Sequence, residues 1–164
     1  MGYIEGVMEL MNPEIIKKGK TLVGEAKCGS INLKGKYIIL ELDNNNFKEN
    51  VLAKIFNAGQ GRCIADYIVI SEELVLVCEL KSNNDGALKT QLKNTGNLVH
   101  YLLKMVKQHT KTQANLPIIK YVYFANKHAE IKNTNKLEDS ASDWNESKLF
   151  FLPCSSKFHL NDFK

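Results

Sequence analysis

The sequence predicts an α+β domain in which a mixed sheet of four or five strands is flanked by helices. Two apolar segments rich in Ile and Val, at 66–70 and 74–80, surround a short polar stretch and predict a β-hairpin buried on both faces. An amphipathic helix is predicted at 86–107, and a further β-rich segment follows at 117–124. The long helix is therefore expected to form a crossover connection to a fourth strand.

The bulk composition indicates one globular domain spanning residues 1–164. Hydrophobic residues make up 44% of the chain, as in an ordinary folded domain. The net charge is +4, which favours an anionic partner, and Arg62 is the only arginine among the 22 basic residues. No apolar run is long enough to span a membrane, and the first residues lack a signal-peptide pattern. We therefore expect no membrane association and a cytoplasmic location.

The four cysteines are widely separated, at Cys28, Cys63, Cys78 and Cys154. No C-x-x-C spacing is present, so the sequence does not predict a zinc site. Cys78 falls within the apolar hairpin and is expected to be a small buried side chain. Reduced thiols are expected for all four, in line with the predicted location.

Before the hairpin, the pattern predicts a helix at 3–11, a loop rich in Lys and Gly at 18–30 and a strand at 37–42. The segment 47–56 fits either a helix or a strand. The turn residues at 57–61 favour the strand, which gives three antiparallel strands in a meander.

After the long helix, the sequence predicts a polar linker at 108–115 and then the strand at 117–124. A stretch rich in Asn, Lys, Glu, Asp and Ser at 126–147 predicts a long surface excursion. A last short strand is predicted at 149–152.

The register of the hairpin brings three charged residues together. With a two-residue loop at 72–73, Asp66 lies opposite Glu79, and directly opposed side chains share one face of a sheet. Lys81 is two residues beyond Glu79 and falls on the same face, whereas Leu80 points the other way, into the core.

Two opposed carboxylates on a covered sheet face repel each other and are poorly solvated. Lys81 offers one positive charge to balance the two negative charges of Asp66 and Glu79. A divalent cation would complete the balance, and carboxylate oxygens suit Mg²⁺ or Mn²⁺. An ammonium beside such a metal can hold an attacking water or stabilise a phosphorane-like transition state.

Asp66, followed after twelve residues by Glu79-Leu80-Lys81, resembles the D…(D/E)-x-K signature of the PD-(D/E)XK nuclease superfamily. That group includes restriction endonucleases and archaeal Holliday-junction resolvases. The resemblance covers about residues 50–107 and implies a restriction-endonuclease-like core, here at about 37–125. Ala65 stands where the family name has Pro.

The resemblance also implies roles for individual residues. Asp66 and Glu79 would bind Mg²⁺ or Mn²⁺, with the Leu80 carbonyl as a further ligand, and Lys81 would orient or help to deprotonate a water. The helix after the lysine strand often carries a Gln in this family, and Gln91 fits that position. Gln91 could instead lie at the edge of the apolar arc and reach solvent.

Many members of the superfamily carry an acidic residue on their first helix. Glu5, Glu9 and Glu14 are the candidates in this sequence. For each of them taken singly, a solvated helix face is the simpler interpretation.

One side of the long helix carries a single-signed basic stripe, formed by Lys89, Lys93, His100, Lys104 and Lys107. Like charges along a helix repel, so a phosphate backbone is a reasonable partner, although many such stripes are only solvated faces. Arg62 is expected to contact phosphates as well.

The sequence therefore predicts a metal-dependent nuclease that hydrolyses phosphodiester bonds, with DNA as the expected substrate. A second interpretation is a nuclease-fold module that binds nucleic acid or protein without catalysis. A third is a structural or interaction protein in which Asp66, Glu79 and Lys81 are surface residues without a catalytic or metal-binding role. The oligomeric state is left open, with a homodimer as one possible assembly.

Overall fold

The computed structural model describes most of the chain, namely residues 2–24, 28–43, 47, 63–81, 87–111, 115–125, 149–154 and 157–163. Its regular helices are α1 (Tyr3–Leu10) and α2 (Leu88–Thr110), and short 3-10 turns occur at Pro13–Ile15 and Leu160–Phe163. The strands are β1 (Thr21–Val23), β2 (Ser30–Lys34), β3 (Ile38–Glu41), β4 (Tyr67–Ile70), β5 (Leu74–Lys81), β6 (Ile118–Ala125), β7 (Leu149–Pro153) and β8 (Lys157–His159).

The larger sheet has five strands in the order β3-β4-β5-β6-β7. Strands β3, β4 and β5 form an antiparallel meander, and β5, β6 and β7 are parallel to one another. Neighbouring parallel strands need a crossover connection, and helix α2 forms the one between β5 and β6. The predicted α+β class with a mixed sheet of four or five strands is confirmed, and this sheet has five. The segments predicted for the hairpin, the long helix and the last two strands of this sheet are confirmed as well.

The hairpin has the predicted register. Ile70 pairs with Val75 and Ile68 pairs with Val77, and the turn is closed by a hydrogen bond from the Ser71 N–H to the Leu74 carbonyl. Strand β4 is buried at every position, as expected for a strand covered on both faces.

The five-stranded sheet separates two apolar clusters. One face packs against α1 and α2 through residues such as Ile68, Val77 and Tyr121, together with Leu92 and Val99 of α2. The opposite face packs against a second, smaller sheet, and its buried members include Tyr67, Leu76, Leu80, Phe124, Leu22 and Ile31. Alternation along β5 therefore puts Leu80 on the face opposite α2, as predicted, and Glu79 on the helix face.

The smaller sheet corrects one prediction. Its strand order is β1-β2-β8, so the segment 18–30 is not a continuous loop but contains β1 and the start of β2. Strand β8 pairs in parallel with β2 from the far end of the chain. These strands are only three to five residues long, and β2 and β8 have exposed polar residues at alternate positions. Strand β8 also pairs with a distant part of the chain, so short-range sequence patterns do not indicate this sheet.

The predicted strand at 47–56 falls outside the described residues except at Phe47. Phe47 has helical backbone geometry and packs against the helix-face cluster. Strand β3 pairs directly with β4, so the meander is completed by β3 rather than by a strand from 47–56. The predicted surface excursion at 126–147 also falls outside the described residues.

The expectation of reduced thiols is wrong for two of the four cysteines. Cys28 and Cys154 form a disulfide across a sequence separation of 126 residues. Cys28 follows β1 and Cys154 follows β7, so the bond joins the loop of the smaller sheet to the last strand of the larger one. Cys63 and Cys78 are free thiols, and Cys78 is buried as predicted. Among the described segments, no helix is both long and apolar enough to cross a membrane.

Candidate functional site

A pocket of about 670 Å³ opens at one edge of the larger sheet, where β3 and β5 end and β4 begins. This is a common size for a ligand site. Among the described residues that line it, the charged ones are Lys17, Glu41, Asp43, Asp66 and Glu79, and the others are Val23, Gly24, Tyr67, Leu80 and Gln91. The pocket contains four of the residues that the sequence assigned to the site, namely Asp66, Glu79, Leu80 and Gln91.

The backbone of the hairpin holds both predicted carboxylates in place. Asp66 Oδ2 accepts a hydrogen bond of 2.8 Å from the Leu80 N–H, and Glu79 Oε2 accepts one of 3.2 Å from the Asp66 N–H. Glu79 is fully buried, with a relative exposure of 0%. Because each carboxylate is bonded to the neighbouring strand, the two acids are oriented before any ligand arrives.

Gln91 connects this pair to helix α2. Its Nε2 donates to Glu79 Oε1 at 2.8 Å and to the Ile64 carbonyl at 3.3 Å. Gln91 therefore does not simply extend into solvent from the edge of the apolar arc. A buried carboxylate needs such donors, so this contact explains why a polar residue interrupts the apolar face of α2.

The next turn of α2 fixes the chain just before Asp66. Asn94 Nδ2 donates to the Cys63 carbonyl at 2.9 Å. The Thr95 hydroxyl is buried, accepts from the Ala65 N–H at 2.8 Å and donates to the Gln91 carbonyl at 2.8 Å. Neither Asn94 nor Thr95 was predicted from the sequence. Their spacing of three and four residues from Gln91 was the available signal, since such residues share one helix face.

Lys81 is the last residue of β5 and is paired in register with Ala125. The position of the Lys81 side chain lies outside what the structure describes, and its role in the site stays a prediction.

Burial is the main cause of a raised pKa in two groups beside the site, and the negative charge at this edge adds to it. Burial raises the pKa of the Cys78 thiol, and the nearby carboxylates of Asp66 and Glu79 raise it further. Burial also raises the pKa of the Tyr67 hydroxyl, and its hydrogen bond to Glu41 adds to the shift. The direction of both shifts favours the protonated form of these groups at neutral pH.

The donors at Asp66 and Glu79 fit a hard divalent cation. Among the described residues, no group of three His, Cys, Asp or Glu side chains converges on one point. Mg²⁺ is commonly bound by only one or two carboxylates, with waters and substrate phosphates completing the coordination. Asp66 and Glu79, which are two fixed carboxylates in the lining of one pocket, meet that requirement.

None of the candidate first-helix acids lines this pocket. Glu5 Oε2 accepts from the Gly2 N–H, and Glu9 lies 3.5 Å from His109 near the other end of α2. Glu14 is exposed on the turn that follows α1. The additional acids of the pocket are Glu41, at the end of β3, and Asp43, two residues later, and neither was predicted from the sequence.

A second polar cluster lies at the same edge, on the face opposite α2. Lys17 Nζ is 3.0 Å from Glu41 Oε1 and 5.5 Å from the centroid of the Tyr67 ring. The Tyr67 hydroxyl lies 3.0 Å from Glu41 Oε1 and 2.8 Å from the Val23 carbonyl. Lys17 and Tyr67 were also not predicted as site residues.

The predicted basic stripe belongs to α2. Lys89, Lys93 and Lys104 are exposed, whereas His100 and Lys107 are half-buried. None of the five lines the pocket, so their predicted contact with phosphates is a separate interaction from the carboxylate site. Arg62 lies outside the described residues.

Comparison of the chain with protein-family models, with curated proteins and with solved structures found no match.

Proposed function

We propose that this protein is a metal-dependent nuclease that hydrolyses phosphodiester bonds in DNA, with a core of the PD-(D/E)XK, restriction-endonuclease-like type. The observation that carries the proposal is the pair Asp66 and Glu79. The hairpin register brings the two carboxylates together, backbone N–H groups orient them, and Gln91 is bonded to the buried member.

In this proposal, Asp66 and Glu79 would hold Mg²⁺ or Mn²⁺, with the Leu80 carbonyl as a further ligand. A metal bound there would stabilise negative charge on the phosphate and lower the pKa of a bound water. Gln91 keeps Glu79 in the orientation that binds the cation. Lys81 holds the attacking water by a hydrogen bond. The water loses one proton to the solvent as its oxygen bonds to phosphorus. The bond from phosphorus to the leaving oxygen breaks, and the solvent returns a proton to that oxygen.

The pocket is expected to bind a polyanionic substrate only when a cation is present. Four carboxylates and one ammonium are found among the described side chains that line it. A phosphate would be repelled by that balance, because like charges at close range disfavour each other. A divalent cation at Asp66 and Glu79 would neutralise the charge of that pair, so binding of the substrate would depend on the metal.

The direct test is a cleavage assay on plasmid and oligonucleotide DNA with Mg²⁺ or Mn²⁺, with a chelator as the control. The wild-type protein is expected to cut one or more DNA forms with metal and none with chelator. Lys81→Ala is expected to remove cleavage while keeping the melting temperature, and wild-type rates for that variant would exclude Lys81 from the reaction.

A second prediction concerns the basic stripe on α2. If Lys93 and Lys104 contact a phosphate backbone, replacing both by Ala should flatten the slope of log affinity against log salt. The expected change is about 0.9 for each lost phosphate contact on duplex DNA. The matched control replaces Lys34 and Lys36, which are exposed at the end of β2 and just beyond it. Equal slopes for the two double variants would make the stripe a solvated helix face.

A non-catalytic module is the second candidate, and one observation favours it. Both oxygens of Glu79 accept hydrogen bonds, from Gln91 and from the Asp66 N–H, so Glu79 also serves to tie the hairpin to α2. If that is its whole function, DNA binding will persist without any dependence on a divalent metal.

A further inference from the structure

Lys17 lines the pocket, and its side chain and backbone are both held by contacts with neighbouring residues. Its ammonium is paired with Glu41 at 3.0 Å and lies over the Tyr67 ring, and its side chain is only 19% exposed. Its backbone N–H donates to the Ile39 carbonyl at 2.9 Å, which fixes the start of the side chain as well. A ligand that binds this ammonium therefore has little side-chain entropy to remove.

The position of Lys17 separates it from the carboxylate pair. Tyr67 belongs to the apolar cluster on the face opposite α2, whereas Asp66 and Glu79 are on the helix face. Because one pocket is lined by all of these residues, it extends around the edge of the sheet. A group bound at Lys17 is therefore distinct from the group bound at Asp66 and Glu79.

The chemistry around Lys17 leaves its positive charge usable by a ligand. An ammonium carries three N–H donors, and the bond to Glu41 Oε1 engages one of them. The Tyr67 hydroxyl donates to the same Glu41 oxygen at 3.0 Å. That second donor shares the charge of the carboxylate and weakens its hold on the ammonium.

We propose that Lys17 is a substrate-binding residue, which receives a phosphate of the polynucleotide adjacent to the phosphate positioned at Asp66 and Glu79. This inference rests on the proposed nuclease function and narrows its substrate class. One phosphate would bind at Lys17 and another at the metal of Asp66 and Glu79. Two phosphate positions in one pocket suit a chain with regularly repeated phosphates, and they favour a polynucleotide over a phosphomonoester as the substrate. Lys17 acts in binding and takes no part in the bond-breaking step.

The test compares steady-state cleavage of an oligonucleotide by the wild type and three variants. Lys17→Gln is expected to raise KM about 10-fold, the scale of one hydrogen bond to a charged group, with kcat changed by less than about 2-fold. Lys17→Arg keeps the charge and is expected to restore most of the affinity. The matched control is Lys18→Gln, because Lys18 is the neighbour in sequence and does not line the pocket.

The outcomes separate this inference from the proposed function. If the wild type cleaves DNA but Lys17→Gln and Lys18→Gln shift KM equally, or if only kcat falls, Lys17 is not a specific phosphate contact and only this inference is overturned. If the wild type does not cleave DNA at all, the proposed function fails and this inference fails with it.

A second pair of variants covers the case in which Lys17→Gln does not fold. Glu41→Gln releases the ammonium from its carboxylate and is expected to lower KM. Asp43→Asn removes the same charge from the same pocket and is expected to lower it less. An equal effect of the two variants, or none for Glu41→Gln, overturns the assignment of Lys17.

Discussion

Replacing Asp66 by Asn should lower the rate of DNA cleavage by about 100-fold or more, the scale of losing one group that stabilises charge in an active site. The change removes a metal-binding charge but keeps the shape of the side chain. The amide oxygen of the introduced asparagine can still accept the hydrogen bond that Asp66 receives from the Leu80 N–H. The fold should therefore be retained, and the loss can be assigned to the site.

The same variant should lose its thermal response to metal. A cation at 100 times its Kd stabilises the native state by about 2.7 kcal/mol, which for a chain of this size raises Tm by roughly 5–10 °C. We expect that shift for the wild type with Mg²⁺ or Mn²⁺ and almost none for Asp66→Asn. Asp43→Asn is the matched control, because Asp43 lies in the same pocket and has the same charge.

Two results would contradict the cation site. Equal metal-dependent shifts in the wild type and in Asp66→Asn would show that the metal binds elsewhere. Equal losses of cleavage in Asp66→Asn and Asp43→Asn would show that only the overall negative charge of the pocket matters. A wild type that binds DNA without any metal response would favour the non-catalytic module.

Replacing Gly96 by Ala should destabilise the protein by about 1–3 kcal/mol, although Ala is the better helix former by about 1 kcal/mol. Gly96 lies on the buried face of α2, and a Cβ there would collide with the hydroxyl of Tyr121 on β6. The Tyr121 Cζ and Cε1 atoms would be 3.0 and 3.1 Å away. Tyr121 is fully buried, so its ring cannot turn out into solvent to make room.

A double-mutant cycle identifies the cause of that cost. Tyr121→Phe removes the atom closest to the new methyl group, so Gly96→Ala should cost less in the Tyr121→Phe background than in the wild type. Chemical denaturation of the four proteins measures the coupling. If Gly96→Ala raises the stability of the wild type, the helix shifts away from β6 without difficulty and the predicted collision does not govern packing.

The hairpin and its two carboxylates were predictable because the information is local. Only twelve residues lie between Asp66 and Glu79. A two-residue loop and the alternation of the strands determine which residues face each other. Gln91 was also within reach, because a polar residue on the apolar arc of a helix needs a partner. The observed hydrogen bond to Glu79 supplies that partner.

The other wall of the pocket could not be predicted in this way. Lys17 reaches it from an irregular segment, Glu41 from the end of β3, and Tyr67 from the first position of β4. Their meeting depends on tertiary packing of three segments that carry no shared pattern. Tyr67 in particular looks like an ordinary core residue in the sequence. Its hydroxyl contacts and the Lys17 ammonium over its ring identify it as part of the site.

The disulfide was missed for a related reason. Cys28 and Cys154 are 126 residues apart, which is too far for any local sequence motif to indicate their pairing. The absence of a signal-peptide pattern also favoured the prediction of free thiols. Pairing of β6 with β7 and packing of the smaller sheet bring the two residues together, and neither feature is visible in single-sequence periodicity.

The bond between Cys28 and Cys154 makes a covalent ring of the intervening chain. Asp66, Glu79 and Gln91 belong to that ring, whereas Lys17 precedes it. A protease that cuts one peptide bond between the two cysteines would therefore leave both pieces linked. Such nicked molecules would migrate as a single species on a non-reducing gel and would separate into two fragments only after addition of reductant.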